Sequence, residues 1–203
     1  MNIKNIQEIT NLEQLDGILE SCKATPTSEI MPGGSFYKLK SRDFRYPNGS
    51  IQRREFVDKR PATIVVPEDP AGKLIMVVQP TALTEEGALI EFPAGYAEPG
   101  EDDKTAGIRE LLEETGLVTE SKHITDLGCH YQDPGLIRQP VHAYLAEYCQ
   151  QIQKPKPDHG EYIQLYKVRK GLFFEMLRAG YIKDANTYIA GIQALFYLGI
   201  LEY

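Results

Sequence analysis

The sequence predicts an α/β (α+β) protein, an α/β/α sandwich with a mixed sheet, preceded by a small N-terminal β-hairpin region. Three observations carry that prediction. Short strand-like runs recur between residues 36 and 168, one helical segment interrupts them near residue 110, and two helical segments close the chain. Such an order suits strands layered between helices, not an all-β barrel or a helical bundle.

Taken in order, Ile6, Ile9, Leu12, Leu15, Ile18 and Leu19 recur at roughly helical spacing and predict a helical lead-in over 3–22, with Thr10-Asn11 as a potential break. Residues 25–34, from Thr25-Pro26 to Pro32-Gly33-Gly34, read as a linker. Residues 36–46 and 51–57 flank Pro47-Asn48-Gly49, and Asn-Gly between such runs signals a hairpin. Residues 62–66 and 73–78 bracket the Pro- and Gly-containing turn 67–72 and predict a second hairpin, and 88–92 is a short strand. The helix over 103–115 ends at Gly116, the residue type expected just past a helix C-terminus. Strands follow near 126–131, 140–148 and 162–168, then helices over 170–179 and 185–200, with Asp184 as a candidate N-cap. The hairpin has no helix of its own to pack on. Residues 1–60 are therefore expected to form an accessory or dimerisation region, and 61–203 the main domain.

Composition narrows the function. At 203 residues there is enough chain for one substantial core. The formal net charge of −7 offers no global attraction for nucleic acid or an anionic membrane, so neither is expected as a partner. Residues 1–8 lack an apolar segment of signal-peptide length, and no later run is long enough to span a bilayer. Cys22, Cys129 and Cys149 are odd in number and widely spaced, which reads as free thiols in a reducing compartment. The expectation is a cytoplasmic protein.

The chemistry concentrates between Gly95 and Leu117, in the pattern Gly95-x5-Glu101-x7-Arg109-Glu110-Leu111-x-Glu113-Glu114-x-Gly116-Leu117. On a helix Glu110, Glu113 and Glu114 share one face, with neighbouring positions about 5–6 Å apart. Clustered carboxylates repel one another, and a hard divalent cation balances them. Mg2+ fits best, since it takes oxygen ligands and completes its shell with water and substrate phosphate. The plainer alternative is a solvated acidic helix face. Arg109 likewise has a plain alternative, a surface ion pair with Glu113. The scattered histidines at 123, 130, 142 and 159 show no metal-ligand spacing.

These residues make up the complete box GX5EX7REUXEEXGU, U being aliphatic, so the chain is similar to the Nudix hydrolases. The resemblance implies the Nudix-type sandwich, cleavage of a nucleoside diphosphate linked to another moiety, and Mg2+ (or Mn2+) as cofactor. Glu91-Phe92-Pro93-Ala94-Gly95, Asp133-Pro134-Gly135-Leu136, residues 154–163 and residues 182–187 resemble the ADP-ribose or ADP-sugar pyrophosphatases within that family. Carried over position by position, the resemblance implies metal ligation by Glu110, Glu113, Glu114 and the carbonyl of Ala94, with Glu101 in support. It implies that Arg109 orients the box carboxylates, that Glu161 is the general base, and that Asp133 approaches the terminal ribose. An Asp-Pro pair also simply initiates turns. Where the subgroup often carries an arginine after the glutamine of the strand before the box, this chain has Gln79-Pro80-Thr81. Arg53, Arg54, Lys59 or Arg60 are candidates for that duty. The chain has no tryptophan, so Phe36, Tyr37 or Tyr46 is expected to stack on the base, and Glu55 with Arg54 and Lys59 completes the expected substrate-binding set. A homodimer is implied, the N-terminal region of one subunit helping to cover the other's site. Rival expectations are a Nudix hydrolase of another nucleoside diphosphate sugar or dinucleotide and, from a different class, a non-catalytic nucleotide-sugar-binding regulator.

Overall fold

Two four-stranded sheets form the body of the molecule in the computed structural model, which describes residues 6–23, 38–157 and 162–201. The first has the order β1 (Gln7–Ile9), β13 (Gln164–Arg169), β5 (Lys73–Pro80), β6 (Ala88–Glu91), with β1 parallel to β13 and the other pairs antiparallel. The second has the order β7 (Ala94–Tyr96), β4 (Ala62–Pro67), β11 (Val141–Ala146), β9 (Ile124–His130), with β4 and β11 parallel. Both sheets are therefore mixed, and β4 and β5, expected as a second hairpin, instead part after the Glu68–Leu74 bridge and join different sheets, because each finds its ladder partners elsewhere in the chain.

Why β4 is a nearly unbroken apolar run becomes clear from its surroundings. Ile64 and Val66 enter the main hydrophobic core, and Val65, pointing the other way, enters a second cluster with Leu111 and Tyr144. In β11, Ala143 and Leu145 join the first cluster and Tyr144 and Ala146 the second. A strand buried on both faces has no solvent side to make polar. Helix α2 (Asp103–Thr115) covers one face through Leu111. Helix α4 (Ala185–Tyr197) covers the other through Ala190, Ala194 and Leu195, beside α3 (Lys170–Arg178) with Phe173 and Met176. The α/β/α sandwich expected from the sequence is the observed architecture. No described helix is long and apolar enough to cross a membrane.

The lead-in differs from expectation. Residues 7–9 are a strand, and the helix α1 (Leu12–Ser21) starts only after Asn11, whose side chain accepts the Gln14 N–H at 2.8 Å. Ile6 and Ile9 sit three apart, which suits one helix face, yet an odd separation sends them to opposite faces of a strand. They are found against the two different clusters. Ile9, Leu15 and Cys22 all lie in the main core, so this segment packs with the elements beyond residue 60.

The remaining N-terminal strands behave otherwise. β2 (Lys38–Arg45) and β3 (Ile51–Asp58) form the hairpin, closed by the Tyr46 N–H on the Ser50 carbonyl at 2.8 Å, with Gly49 at φ 82°. Among the described residues their further partner strand is β10 (Ile137–Arg138), parallel to β3. Phe56 is buried, whereas Ile51 to Glu55 are exposed. A two-stranded sheet, β8 (Leu117–Val118) with β12 (Gln150–Gln151), flanks the C-terminal end of α2.

Candidate active site

The chain passes from β6 through Pro93 into β7, turns at Gly100 (φ 87°), and enters α2. Asp102 caps the helix, accepting the Thr105 N–H at 3.0 Å and its hydroxyl at 2.6 Å. Gly116 ends it at φ 69°, where a Cβ would lie 2.0 Å from the Gln153 carbonyl oxygen. Both ends of the glutamate-bearing helix are thus fixed.

Between those ends Arg109 ties the acidic residues together. Its Nε and Nη2 donate to the two carboxylate oxygens of Glu101 at 3.1 Å each, its Nη1 to Glu110 at 2.9 Å and to Glu113 at 2.8 Å. Nη2 also donates to the Tyr96 carbonyl at 3.0 Å, joining helix to β7. Glu101 itself accepts the Glu98 N–H at 2.9 Å. The hydrogen bonds from Arg109, ahead of that backbone contact, hold the Glu101 carboxyl below its ordinary pKa, and in return Glu101 first, then Glu110 and Glu113, keep the guanidinium charged. The surface pair with Glu113 alone is therefore too small a description of Arg109.

Glu114 points inward. It is only 7% exposed and its carboxylate accepts the Ala94 N–H at 3.2 Å. Glu110 approaches the same loop so closely that a Cβ on Gly95 would fall 2.1 Å from its carboxyl carbon. A side chain at position 95 and the present position of Glu110 are mutually exclusive. Glu110, Glu113, Glu114 and the Ala94 carbonyl offer oxygen donors alone, the set a hard divalent cation takes. Among the described residues no three His, Cys, Asp or Glu side chains stand ready-made as a metal-ligating group. Here Arg109 and the Ala94 amide engage the carboxylates, so an ion would share them.

Two cavities bear on the site, and one of them adjoins this helix-and-loop unit. One of about 170 Å³ is walled by Ala94, Gly95 and Tyr96, with Lys59, Gln132 and Asn186 opposite. Lys59 and Arg60 lie over the Tyr96 ring at 5.5 and 5.1 Å, which links the end of the hairpin to the box. The larger cavity, about 620 Å³, lies between the hairpin and residues 131–138. Of the expected substrate residues, Tyr46, Arg54 and Glu55 line it together, and Arg54 Nε donates to the Tyr46 hydroxyl at 3.1 Å. Lys59 belongs to the smaller cavity instead. Asp133 is exposed and its carboxylate accepts the Gly135 N–H at 3.1 Å, closing a local turn beside both cavities. Phe36 and Glu161, like Tyr37 and His159, fall outside the described residues.

Of the candidates for the arginine missing after Gln79, Arg53 is paired with Asp43 at 2.8 Å on the exposed hairpin. Gln79 itself donates to Glu91 at 2.6 Å. Burial, opposed by that hydrogen bond and helped by nearby Asp184, pushes the Glu91 carboxyl up to about 7. Sequence reasoning did not single out Phe44, Tyr131 or Arg138, which line the larger cavity, nor Gln132 and Asn186 at the smaller. Two of them had a signal nearby: Asn186 lies within residues 182–187, and Tyr131 stands two residues before Asp133-Pro134.

A model of the NUDIX domain matches residues 58–177. The chain is 30% identical over 179 residues to the ADP-ribose pyrophosphatase of Bacillus subtilis (strain 168), covering 88% of this chain and 93% of that protein. It is also 30% identical over 169 residues to the methanol dehydrogenase activator of Bacillus methanolicus, covering 83% and 89%. A crystal structure of an ADP compounds hydrolase superposes with a TM-score of 0.69 at 21% identity, over 87% of this chain and 95% of that one, and speaks for the fold alone. Nudix hydrolases generally use a divalent metal. With the family model spanning more than half the sequence and a relative aligned over most of both chains, this chain belongs to the Nudix family, as a hydrolase of the pyrophosphatase kind.

Proposed function

We propose that the chain is a divalent-metal-dependent hydrolase of nucleoside diphosphate sugars, cleaving ADP-ribose to AMP and ribose 5-phosphate. The observation that carries this reading is Arg109, whose guanidinium joins Glu101, Glu110, Glu113 and the Tyr96 carbonyl while Glu114 is seated on the Ala94 amide. Glu110, Glu113, Glu114 and the Ala94 carbonyl would hold the cation, Mg2+ with Mn2+ as a substitute. When bound, it supplies positive charge to the phosphoryl oxygens as the pyrophosphate bond breaks. Arg109 orients the carboxylates and keeps them from repelling one another apart. Tyr46, Phe44 and Tyr131 stack on or border the base, and Arg54 and Arg138 face the anionic end of the nucleotide from the same cavity. Glu55 and Lys59 contact the substrate at its two ends. Asp133 approaches the terminal ribose, Phe36 adds to the base platform, and Glu161 takes the proton from the attacking water. Those last three roles rest on the resemblance of the sequence.

The same reading gives a cytoplasmic homodimer that binds neither nucleic acid nor membrane, divided at 60/61 into an accessory and a catalytic region, with residues 7–22 of the former packed into the core of the latter. The ADP-ribose pyrophosphatase of Bacillus subtilis supports the substrate class, and the net charge of −7 supports local capture of the anion over long-range steering. One observation favours a second substrate reading. Gln79 is bonded to Glu91 and followed by Pro80, so no arginine from that strand meets the diphosphate, and a different nucleoside diphosphate sugar or a dinucleotide is the alternative.

The test is turnover of ADP-ribose, ADP-glucose, GDP-mannose and a dinucleoside polyphosphate side by side, with magnesium and with a chelator. ADP-ribose is expected to be cleaved fastest, to AMP and ribose 5-phosphate, and the chelator to abolish the reaction. No turnover of any of the four, or turnover indifferent to chelation, overturns the proposal. Faster cleavage of another substrate moves it to the second reading.

A further inference from the structure

The smaller cavity, about 170 Å³, has a polar wall that neither the box nor the hairpin supplies. Three carboxamides meet there: Gln132 from the loop after β9, Gln139 just before β11, and Asn186 from the first turn of α4. Two of the three are held in fixed orientation. Asn186 Oδ1 lies 3.0 Å from His130 Nε2, and since that oxygen only accepts, the ring nitrogen is the donor and the Asn186 N–H groups are left to face the cavity. His130 Nδ1 is buried without a hydrogen-bond partner among the described residues. Gln139 is buried and donates Nε2 to the Arg60 carbonyl at 2.9 Å, so Oε1 is what it has to offer. An oriented donor and an oriented acceptor on one wall match hydroxyl groups, which need both.

No carboxylate lines this space among the described residues, and Lys59 is its one charged side chain. A second phosphate-binding site would call for more cations, and an apolar ligand would leave the amides unpaired. The opposite wall is Ala94 to Tyr96, the backbone against which Glu110 and Glu114 sit. Residue 131 faces the larger cavity and residue 132 this one, so the loop separates the two spaces.

The geometry points to Asn186 and Gln139, with Gln132 beside them, as the residues that select the sugar, gripping the hydroxyls of the terminal pentose on the far side of the diphosphate from the base, with His130 as the positioning residue that aims Asn186. This rests on the diphosphate-sugar reading above and deepens it. Asp133, whose carboxylate is engaged in its own turn, shapes the loop that presents Gln132.

The experiment measures KM and kcat for ADP-ribose and ADP-glucose in wild type, Asn186→Ala, Gln132→Ala, His130→Ala and His130→Gln, with the thermal midpoint of each. Wild-type turnover comes first: a wild type inactive on both sugars defeats the functional reading and not this one alone. Given an active wild type, Asn186→Ala and Gln132→Ala are expected to raise the KM for ADP-ribose about tenfold with kcat little changed, the loss of a hydroxyl hydrogen bond. The preference for ADP-ribose over ADP-glucose is expected to shrink with it. His130→Ala should reproduce the Asn186→Ala effect, and His130→Gln, whose amide donates from nearly the same place as Nε2, should restore part of it. Gln132 is on an exposed loop, so its variant remains informative even where one in α4 unfolds. Unchanged KM values in the folded variants, or equal losses on both sugars, overturn the proposal.

Discussion

The box segment from Gly95 to Leu117 and the hairpin from Lys38 to Asp58 are built in opposite ways. In the first, one guanidinium is shared among three carboxylates and a carbonyl, a fourth carboxylate is buried on a backbone amide, and the helix is capped at both ends. In the second, Leu39 is 71% exposed and Ile51 56%, the Arg53–Asp43 pair is exposed too, and a further pair, Lys40 with Asp58, sits towards the open end of the hairpin. An interlocked polar set transmits a small displacement to every member, whereas an open aromatic surface loses only the contact that is removed. Chemistry is therefore expected to reside in the first region and affinity in the second.

The harshest way to break that contrast is Gly95→Ala. The new methyl would occupy the place of the Glu110 carboxylate, and an overpacked site of this kind costs about 1–3 kcal/mol. Displacing a reacting-site carboxylate by even an ångström lowers kcat by about a hundredfold. Steady-state kinetics with a melting curve check this, and near-normal kcat would mean that Glu110 need not stay where it is. Tyr46→Ala probes the other region. Stacking on a base is worth about 1–3 kcal/mol, so KM should rise about tenfold with kcat preserved. A fall in kcat instead would erase the distinction between the regions.

The smallest effect concerns the strand that leads into the box. Burial raises the Glu91 carboxyl from its ordinary 4.5 to about 7, so the folded protein binds this proton more tightly than the unfolded chain does. Stability from this group is at its fullest below pH 4.5 and is lost as pH climbs to about 7, a difference of about 3 kcal/mol. Glu91→Gln removes that loss. Its melting point should exceed wild type by several degrees at pH 8 and match it near pH 4.5. Equal melting points at both values would show that Glu91 ionises there without penalty.

Local chemistry is what the sequence displayed most clearly. Gly116 ended α2 with a positive φ, Asp184 capped α4 by accepting the Thr187 N–H at 2.7 Å, and Asn48-Gly49 made the hairpin turn. Each is a signal spread over a few neighbouring residues. β1 was hidden because Ile9, at its end, and Ile6, just before it, sit three apart as on one turn of helix, and only the pairing of β1 with β13, more than 150 residues away, decides the matter. The candidate site divides in the same manner. Helical spacing exposes the shared face of Glu110, Glu113 and Glu114, whereas the twofold grip of Arg109 on Glu101 depends on how the loop before α2 folds back. Asn186 and His130 meet only because α4 packs across β9, and no periodicity encodes that meeting.

The most direct test of the account is the kcat of Glu114→Gln on ADP-ribose at saturating magnesium. The substitution keeps an oxygen to accept the Ala94 N–H and removes the charge alone. A fall of about a hundredfold to a thousandfold, with the melting point unchanged, is the predicted result. A variant that folds normally and retains most of the wild-type rate would contradict it.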